Sequence, residues 1–384
     1  MFSRRLPHDL RPNAIAARRG AIEVAWDLTV SNPTFCGIPY PEALLEDLAH
    51  PSGLRYRPDP KGIEAARQAI ATAYRLRGAD VDPARVVLTA SSSEAYGFLF
   101  KLLCDPGDEV LVPVPSYPLF ENLAALDGVR AVPYRLDASD GWRPAIDEPL
   151  PQRTRAVIAV HPNNPTGSFL DPACALTLES ACARSGAALV VDEVFLDYPL
   201  APGEAPATFA DTGRVLTFVL GGLSKSLGLP QLKLSWIVAS GPAPQVLEAV
   251  ERLEFIADYY LSVATPVQLA LPALLTQGLP VRGAILERCR ANLAALRDAA
   301  RRVPSVSVPI PGGGWSAVLR FPAVVGEERL AIELLERDGV AVHPGYFFDF
   351  PGEGWLVLSL LPEPPVFEEG VRRVLARIES HLGR

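Results

Sequence analysis

The sequence predicts an α/β protein built on a mostly parallel sheet with helices on both faces. Between residues 85 and 240, short apolar runs alternate with amphipathic helical segments. That alternation is typical of parallel strands joined by helical crossovers. The chain has 384 residues, of which 49% are hydrophobic and 21% are charged. A globular chain of this length buries a full core, so we expect one large domain and one smaller domain.

The predicted strands of the large domain each end at a turn rich in polar or small residues. They lie at residues 86–89, 108–112, 156–160, 187–191, 215–220 and 234–238. The predicted helices lie at residues 63–77, 94–103, up to 126, 171–185 and between 245 and 302. Ligands of such sheets collect beyond the carboxyl ends of the strands. The polar residues that follow these strands are therefore the first candidates for a site.

The two ends of the chain predict different structures. Residues 1–35 are rich in proline and arginine and predict an irregular arm, which leads into a short helix at 41–49. Residues 303–384 predict a smaller unit. Its strands are expected at 315–321, 340–343 and 355–361, and its helices at 327–337 and 367–381.

Composition argues against several classes of partner. The net charge of -8 has no basic run to offset it, so we expect no nucleic-acid partner. An odd number of cysteines without a C-x-x-C pair predicts reduced thiols and no metal site; they are Cys36, Cys104, Cys174, Cys182 and Cys289. The sequence contains no run of eighteen apolar residues and no signal-peptide core. We therefore expect a cytoplasmic protein with no membrane partner.

Lysine is rare, and one lysine follows a buried strand. The chain contains only Lys61, Lys101, Lys225 and Lys233. A desolvated lysine amine can attack a carbonyl, so we interpret Lys225 as a residue that holds pyridoxal phosphate as a Schiff base. Taken alone, the segment Gly221-Gly222-Leu223-Ser224-Lys225 is better interpreted as a small-residue loop with a surface lysine. The residues upstream reverse that preference.

Two upstream features match the charged ends of such a cofactor. The turn Thr89-Ala90-Ser91-Ser92-Ser93 places free N–H groups and hydroxyls at a helix N-terminus, which is a phosphate site. In isolation, a plain helix N-cap is the better interpretation. Asp192 ends a buried strand and needs a cation, such as a protonated pyridine nitrogen. The alternative is an aspartate that caps a neighbouring turn.

Two further features match the ring itself. Asn164 lies in the rigid turn Asn163-Asn164-Pro165-Thr166-Gly167, where its amide could bond to the 3-hydroxyl of the ring. The alternative is an ordinary Pro-Gly loop. Tyr117 follows a strand end and could stack on a flat ring, or it could be a core aromatic residue.

The order of these features along the chain resembles the class I/II aminotransferases, which are fold-type I pyridoxal-phosphate enzymes. The resemblance runs from about residue 40 to the C-terminus. It implies a mostly parallel seven-stranded sheet flanked by helices, with a smaller α+β domain formed by the C-terminal part and the N-terminal arm. The expected boundaries are 1–45 for the arm, 46–295 for the large cofactor-binding domain and 296–384 for the small domain.

The resemblance also implies a role for each motif residue. Lys225 matches the Schiff-base lysine, Asp192 the partner of the pyridine nitrogen, and Asn164 the amide beside the 3-hydroxyl. The remaining matches are a ring-stacking residue (Tyr117), phosphate contacts (Ser92, Ser93 and Ser224) and a tyrosine that reaches the phosphate of the other subunit's cofactor (Tyr56). The last match implies a homodimer with shared active sites.

The sequence departs from the family pattern at three positions. Lys233 stands where a phosphate-binding arginine is usual, which keeps the charge but loses the bidentate fork. Phe195 stands where a tyrosine usually donates to the 3-oxygen of the cofactor, so the pKa of the Schiff base should rise unless another donor replaces it. Val357 stands where an arginine usually grips the substrate carboxylate. By sequence, the nearest substitutes are Arg55, Arg57 and Arg320.

The implied activity is the transfer of an amino group from a small-molecule donor, expected to be an amino acid, to a keto acceptor. Lys225 would take a proton from the substrate carbon and return it. The three departures leave a lyase, synthase or decarboxylase of the same fold as the alternative. A non-catalytic effector-binding domain is a remote alternative, because the roughly 35 residues before the fold are too few for a DNA-binding module.

Overall fold

A computed structural model describes residues 2–7, 9–201, 203 and 206–383. Met1 and His8 of the predicted arm, and Arg384 of the predicted small domain, lie outside the described residues. The strands in chain order are β1 (Trp26–Asp27), β2 (Val86–Thr89), β3 (Glu109–Val114), β4 (Arg130–Asp137), β5 (Arg143–Ala145), β6 (Thr154–Val160), β7 (Ala188–Asp192), β8 (Thr217–Gly222), β9 (Ser235–Ser240), β10 (Ser316–Arg320), β11 (Val340–Ala341), β12 (His343–Pro344) and β13 (Trp355–Ser359).

The α-helices in chain order are α1 (Ala14–Arg19), α2 (Glu64–Arg75), α3 (Ser92–Leu103), α4 (Phe120–Leu126), α5 (Pro172–Ser185), α6 (Leu223–Ser226), α7 (Ala243–Asp258), α8 (Thr265–Gln277), α9 (Leu279–Ala300), α10 (Glu327–Glu333) and α11 (Pro364–His381). The short helix expected at 41–49 is a 3₁₀ helix at Glu42–Ala49. Helix α10 continues as a π-helical turn at Leu334–Asp338 and ends at Gly339, whose φ of 67° is left-handed.

The large sheet has the order β2-β9-β8-β7-β6-β3-β4-β5 in the described chain. Strands β8, β7, β6, β3 and β4 run parallel, whereas β9 is antiparallel to both β2 and β8. The mostly parallel α/β architecture that the sequence predicts is confirmed. The sheet has one more strand than the seven expected, because the chain turns back through Gly141 (φ 64°) and adds the short edge strand β5 antiparallel to β4.

Both faces of this sheet are buried, and the alternation of side chains along each strand positions the site. On β7, Leu189 and Val191 join one apolar core, and Val190 joins the other core together with residues of α3 and α7. Successive side chains of a strand point to opposite faces. Asp192 therefore shares the face of Val190 and meets α3.

The smaller part of the molecule contains an antiparallel sheet of order β10-β13-β12 among the described residues. Strand β1 of the N-terminal arm pairs in parallel with β11, so the arm joins the C-terminal part of the chain as expected. The single strand expected at 340–343 is instead two short strands, β11 and β12, which belong to different sheets. The segment divides because β1 pairs with its first part and β13 pairs with its second part.

The cysteines form no disulfide bonds in the described chain. All five lie in the described chain and are free thiols; Cys36, Cys174, Cys182 and Cys289 are buried. Cys174 and Cys182 both lie on α5. No single helix of the described chain is long and apolar enough to cross a membrane, and only α8 together with α9, bent by 55° at their junction, reaches that length and hydropathy.

Candidate active site

The carboxyl ends of four strands meet at one edge of the large sheet. Strands β6, β7 and β8 are parallel neighbours. Strand β2 is antiparallel to β9, which is itself antiparallel to β8, so β2 points the same way as β8. At or just beyond these ends lie the turn at 161–167, Asp192 as the last residue of β7, Lys225 on α6, and the first turn of α3. The topology therefore gathers most of the candidate residues at one place.

Lys225 has an apolar environment with one charged neighbour. Its Nζ lies 5.0 Å from the ring centroid of Trp315 and 5.5 Å from that of Phe195. Burial lowers the pKa of Lys225, and the negative charge of Asp192 opposes that shift. In the described chain Lys225 forms no ion pair. A lowered pKa increases the fraction of neutral amine, which is the nucleophilic form.

The backbone around Lys225 is fixed by close packing. The Tyr198 hydroxyl donates to the Lys225 carbonyl at 2.6 Å, and the Ser226 hydroxyl donates to the Gly222 carbonyl at 2.9 Å. A Cβ added to Gly221 would lie 2.5 Å from the indole of Trp236, and one added to Gly222 would collide with the Ser235 hydroxyl. The Gly-Gly pair is therefore required to bring the lysine-bearing turn against β9.

Asp192 is a buried carboxylate without a cation bonded to it. Its side chain accepts a hydrogen bond from the Tyr96 hydroxyl at 3.0 Å and one from the Val194 N–H at 3.1 Å. Burial raises the pKa of Asp192 to about 6, despite these donors. No ion pair involves Asp192 among the described residues. A carboxylate in this position gains stability from any cation that reaches it.

The two asparagines of the 161–167 turn have different roles. The Asn163 amide donates to the Pro115 carbonyl at 3.0 Å and to Thr166 Oγ1 at 2.9 Å, and its Oδ1 accepts from the Ser116 hydroxyl at 3.0 Å. Asn163 therefore fixes the turn. The Asn164 Oδ1 accepts from the Ser316 hydroxyl at 3.4 Å, and in the described chain its Nδ2 has no partner.

His161 precedes these asparagines and is a structural residue. Its Nε2–H donates to the Ala207 carbonyl at 3.1 Å, and its Nδ1 accepts from the Leu170 N–H at 2.9 Å. Burial lowers the pKa of His161 to about 4, so the ring is neutral at physiological pH. Both ring nitrogens are engaged, which leaves the ring no role as an acid or a base in this geometry.

The turn at Ser91–Ser93 is a helix N-cap and also leaves hydroxyls that a phosphate could engage. The Ser91 side chain accepts from the Glu94 N–H at 3.1 Å, so Ser91 is the N-cap of α3. Ser92 and Ser93 occupy the first turn, are half-buried, and form no side-chain hydrogen bond with other described residues. Ser224 on α6 is also half-buried. Lys233 is exposed and adopts a left-handed backbone with φ 50°.

Both predicted tyrosines also lie on the surface of the single chain. Tyr117 is 49% exposed, so it is not a core aromatic residue. Its neighbour Ser116 is anchored to Asn163 and, through its N–H, to the Phe348 carbonyl at 3.0 Å. Tyr56 is 80% exposed, and with Arg57 it lines a small cavity bounded on its other side by residues 261–263. The single chain does not bring Tyr56 to Lys225.

The departures from the family pattern have structural consequences. Phe195 is buried and packs edge-on against Trp315, with ring centroids 5.3 Å apart. Val357 is 2% exposed and lies opposite Val318 in the sheet. Of the candidate substitutes for the arginine, Arg320 stacks on the Trp355 ring at 5.1 Å, at the end of β10 away from Ser316. Arg55 and Arg57 are exposed.

Several residues of this site are absent from the sequence-based prediction. Tyr96, Tyr198, Trp315 and Ser316 all contact predicted site residues. The run Gly312-Gly313-Gly314 before Trp315 is an available signal, because consecutive glycines mark a close approach of backbone. A Cβ on Gly313 would lie 2.6 Å from Phe169 and 2.9 Å from the Tyr198 carbonyl. Among the described residues, no group of three or more His, Cys, Asp or Glu could hold a metal ion.

The fold and this site define a class of protein. The pattern of the family described as "Aminotransferase class I and II" matches residues 28–377. The chain belongs to this family. An alanine aminotransferase from Pyrococcus furiosus has a solved structure that matches with a TM-score of 0.85 and 26% identity, covering 95% of this chain and 94% of that chain.

Two relatives are named for different activities, one as an aminotransferase and one as a synthase. An alanine aminotransferase of Mycobacterium tuberculosis is 29% identical over 354 residues, which cover 87% of this chain and 81% of that protein. A capreomycidine synthase of Streptomyces vinaceus is 34% identical over 337 residues, which cover 86% of this chain and 82% of that protein. The family and its relatives make this protein a pyridoxal-phosphate-dependent aminotransferase of fold type I.

The residues present fit the cofactor. The buried Asp192 carboxylate lacks a cation among the described residues, and a protonated pyridine nitrogen is a cation. The Asn164 Nδ2 is a free donor, and the first turn of α3 offers N–H groups and hydroxyls suited to a phosphate. The Lys225 amine has a lowered pKa and no ion-pair partner in the described chain. Each of these groups would gain a partner from pyridoxal phosphate.

Proposed function

We propose that Lys225 is the residue that carries pyridoxal phosphate as a Schiff base. The observation that supports this most directly is the shared edge of the sheet, where Asp192 is the charged group that acts on the Lys225 amine. We assign Asp192 to the pyridine nitrogen, Asn164 to the 3-oxygen and Tyr117 to the ring face. The phosphate contacts are assigned to Ser92, Ser93, Ser224 and Lys233, and to Tyr56 of the partner subunit.

When bound, pyridoxal phosphate supplies an aldehyde and an electron-accepting ring. The Lys225 Nζ, which burial favours in its neutral form, accepts a proton from the substrate carbon and later returns a proton. Asp192 becomes ionised beside a cation, because an adjacent positive charge lowers the pKa of a carboxyl group. The rings of Phe195 and Trp315 cover part of the amine and so reduce its contact with water.

The amino donor and keto acceptor are proposed to be small molecules. An amino acid is the leading donor, because one relative is named an alanine aminotransferase and another a glutamate-pyruvate aminotransferase. A synthase or lyase activity is the second candidate, since the 34% identical relative is named as a synthase. Incubating the holoenzyme with an amine but without a keto acceptor distinguishes transamination from the synthase or lyase activity. Transamination leaves one equivalent of amino group on the enzyme, whereas elimination continues past one turnover and releases ammonia.

The substrate carboxylate is a specific point to test. Val357 offers no charge, so deleting the α-carboxylate of the donor, as in ethylamine compared with alanine, should lower kcat/KM by less than about tenfold. A loss above about hundredfold would mean that a cation holds the carboxylate. Alanine substitution of Arg55, Arg57 and Arg320 in turn then identifies it. If ethylamine reacts more than about hundredfold more slowly than alanine in the wild type and in all three arginine variants, this account of how the carboxylate is held is wrong.

A homodimer with shared active sites is also proposed. Large apolar side chains are exposed on the neighbouring segments 54–56 and 255–261; they are Leu54, Tyr56, Phe255, Tyr259 and Tyr260. Their exposure suits burial against a second copy.

Phe255→Asp is therefore expected to produce monomers in sedimentation and to weaken cofactor retention at least tenfold, because burying an unpaired charge disfavours the interface. Leu126→Asp is the control, since Leu126 is an exposed leucine on α4. A monomeric wild-type holoenzyme with full activity would contradict the shared site. The boundaries 1–45, 46–295 and 296–384 are proposed as domains, and a cytoplasmic location stays a prediction.

A further inference from the structure

The indole of Trp315 carries a buried donor without a partner. Trp315 is 4% exposed, and its Nε1–H forms no hydrogen bond in the described chain. The ring packs between Phe195 and Tyr198, with centroid distances of 5.3 Å and 5.1 Å, and its centroid lies 5.0 Å from Lys225 Nζ. Buried polar groups are nearly always hydrogen-bonded, so an unpaired N–H beside the proposed reactive amine points to an acceptor that binds there.

Neither of the other two aromatic side chains beside this part of the site, Tyr198 and Phe195, can supply this donor. The Tyr198 hydroxyl already donates to the Lys225 carbonyl at 2.6 Å. Phe195 has no donor, although the family usually places a tyrosine there. Among the described residues, the other buried side-chain atoms without a partner are Thr154 Oγ1, at the amino end of β6, and Asn292 Oδ1, which is an acceptor. Among the described residues, Trp315 thus carries the fully buried, unpaired side-chain donor that borders the site, in addition to the half-buried Asn164 amide.

Ser316, the residue after Trp315, contacts the amide that is assigned to the 3-oxygen of the cofactor. The Ser316 hydroxyl bonds to Asn164 Oδ1 at 3.4 Å and so orients the amide whose Nδ2 is assigned to the 3-oxygen. In pyridoxal phosphate, this oxygen is on the ring carbon next to the one that bears the aldehyde, which Lys225 would engage. Trp315 therefore adjoins both groups assigned to this region, because Lys225 Nζ lies 5.0 Å from its ring centroid and Asn164 bonds to the next residue of the chain.

We propose that the Trp315 Nε1–H donates a hydrogen bond to the 3-oxygen of pyridoxal phosphate and replaces the hydroxyl that Phe195 lacks. This inference rests on the proposed function of Lys225. A donor to an anionic oxygen favours the charged form of that oxygen. The bond therefore lowers the pKa of the lysine–cofactor Schiff base, and it offsets the rise that the tyrosine-to-phenylalanine difference alone would cause.

The test is a pH titration of the visible absorbance of the holoenzyme, which reports the pKa of the Schiff base independently of turnover. Trp315→Phe should raise this pKa by about one unit, the effect of losing one charge-assisted hydrogen bond. Phe195→Tyr in the Trp315→Phe background should return the pKa toward the wild-type value, because it restores a donor at the neighbouring ring. The same change in the wild-type background should have a smaller effect.

Trp236→Phe is the matched control, since the Trp236 Nε1–H already donates to the Tyr74 hydroxyl at 3.2 Å. It should leave the pKa of the Schiff base unchanged. If Trp315→Phe leaves the pKa unchanged within roughly 0.2 unit while the wild-type band titrates normally, the inference on Trp315 is wrong and the proposed function stands. If the wild-type protein shows no titrating band with added cofactor, the proposed function and this inference both fail.

A measurement on the wild-type chain covers the case in which Trp315→Phe does not fold. The sequence contains five tryptophans, so a ¹⁵N-labelled protein gives five indole signals, which phenylalanine variants of the other four assign by elimination. Cofactor binding should move the Trp315 indole proton downfield, as expected for a new hydrogen bond, and leave the Trp236 signal in place. An unshifted Trp315 signal in the holoenzyme would overturn the inference.

Discussion

Lys225→Ala is expected to abolish turnover and the visible absorbance of the Schiff base. The variant loses both the amine that attaches the cofactor and the base that moves the substrate proton, so the rate should fall on the order of 10,000-fold. Cofactor should still bind without a covalent bond, because the donors on α3 and the Asp192 carboxylate are unchanged. Steady-state kinetics and absorbance spectra of the reconstituted protein measure both effects.

Two further variants, Lys225→Arg and Lys101→Ala, test whether the effect depends on the amine of Lys225 itself. Lys225→Arg keeps a positive charge in the site but cannot form the imine at neutral pH, so it should be as inactive as the alanine variant. Lys101→Ala removes a surface lysine that pairs with Asp127 at 2.5 Å and should leave the absorbance unchanged. Full turnover in either Lys225 variant would show that this amine does not carry the chemistry.

Asp192→Asn is expected to stabilise the cofactor-free protein while removing most of its activity. In the folded protein the pKa of Asp192 is about 6, against an ordinary value of 3.8, because burial disfavours the charged form. The protonated carboxyl is therefore favoured by folding. The free energy of unfolding falls as the pH rises from about 4 to 6, and above pH 6 the cost is fully present, up to about 3 kcal/mol.

An amide removes that cost, so the cofactor-free Asp192→Asn variant should unfold at higher denaturant concentration at pH 7 and lose the part of this pH dependence that Asp192 causes. It cannot hold a proton on the pyridine nitrogen, and kcat should fall at least about hundredfold, as when a preorganised electrostatic contact is removed. Glu193→Gln is the matched control, because burial also raises the pKa of Glu193 to about 7 while its partners are Thr208 and Phe209. That variant should keep its activity. Full activity of Asp192→Asn would contradict the assignment.

The parts of the fold that the sequence predicts well are those with a strong local pattern. Buried strands such as β2, β6, β7 and β8 each contain at least three consecutive apolar residues bounded by turns, and their positions match the prediction within about two residues. Strand β4 is absent from the prediction because its side chains alternate between exposed and buried and include Pro133. Strand β5 has three residues and depends on the left-handed Gly141, so its pairing cannot be identified from apolar periodicity.

The residues of the site also differ in how well the sequence predicts them. Asp192 ends a strand, and Asn164 and Lys225 lie within a few residues of strand ends, so topology alone brings them together. Trp315 immediately precedes β10, about ninety residues after Lys225, and its contact with the lysine depends on how two parts of the chain pack. The distinction between Asn163 and Asn164 also requires coordinates, because both belong to one turn and only their hydrogen bonds separate the structural residue from the available one.

The most direct measurement is reduction of the holoenzyme with borohydride, followed by digestion and mass spectrometry of the four lysines. Reduction converts a Schiff base to a stable amine, so the residue that held the cofactor keeps it. We predict that the pyridoxyl phosphate is found on Lys225 alone. Its recovery on Lys61, Lys101 or Lys233, or on no lysine at all, would contradict the central claim.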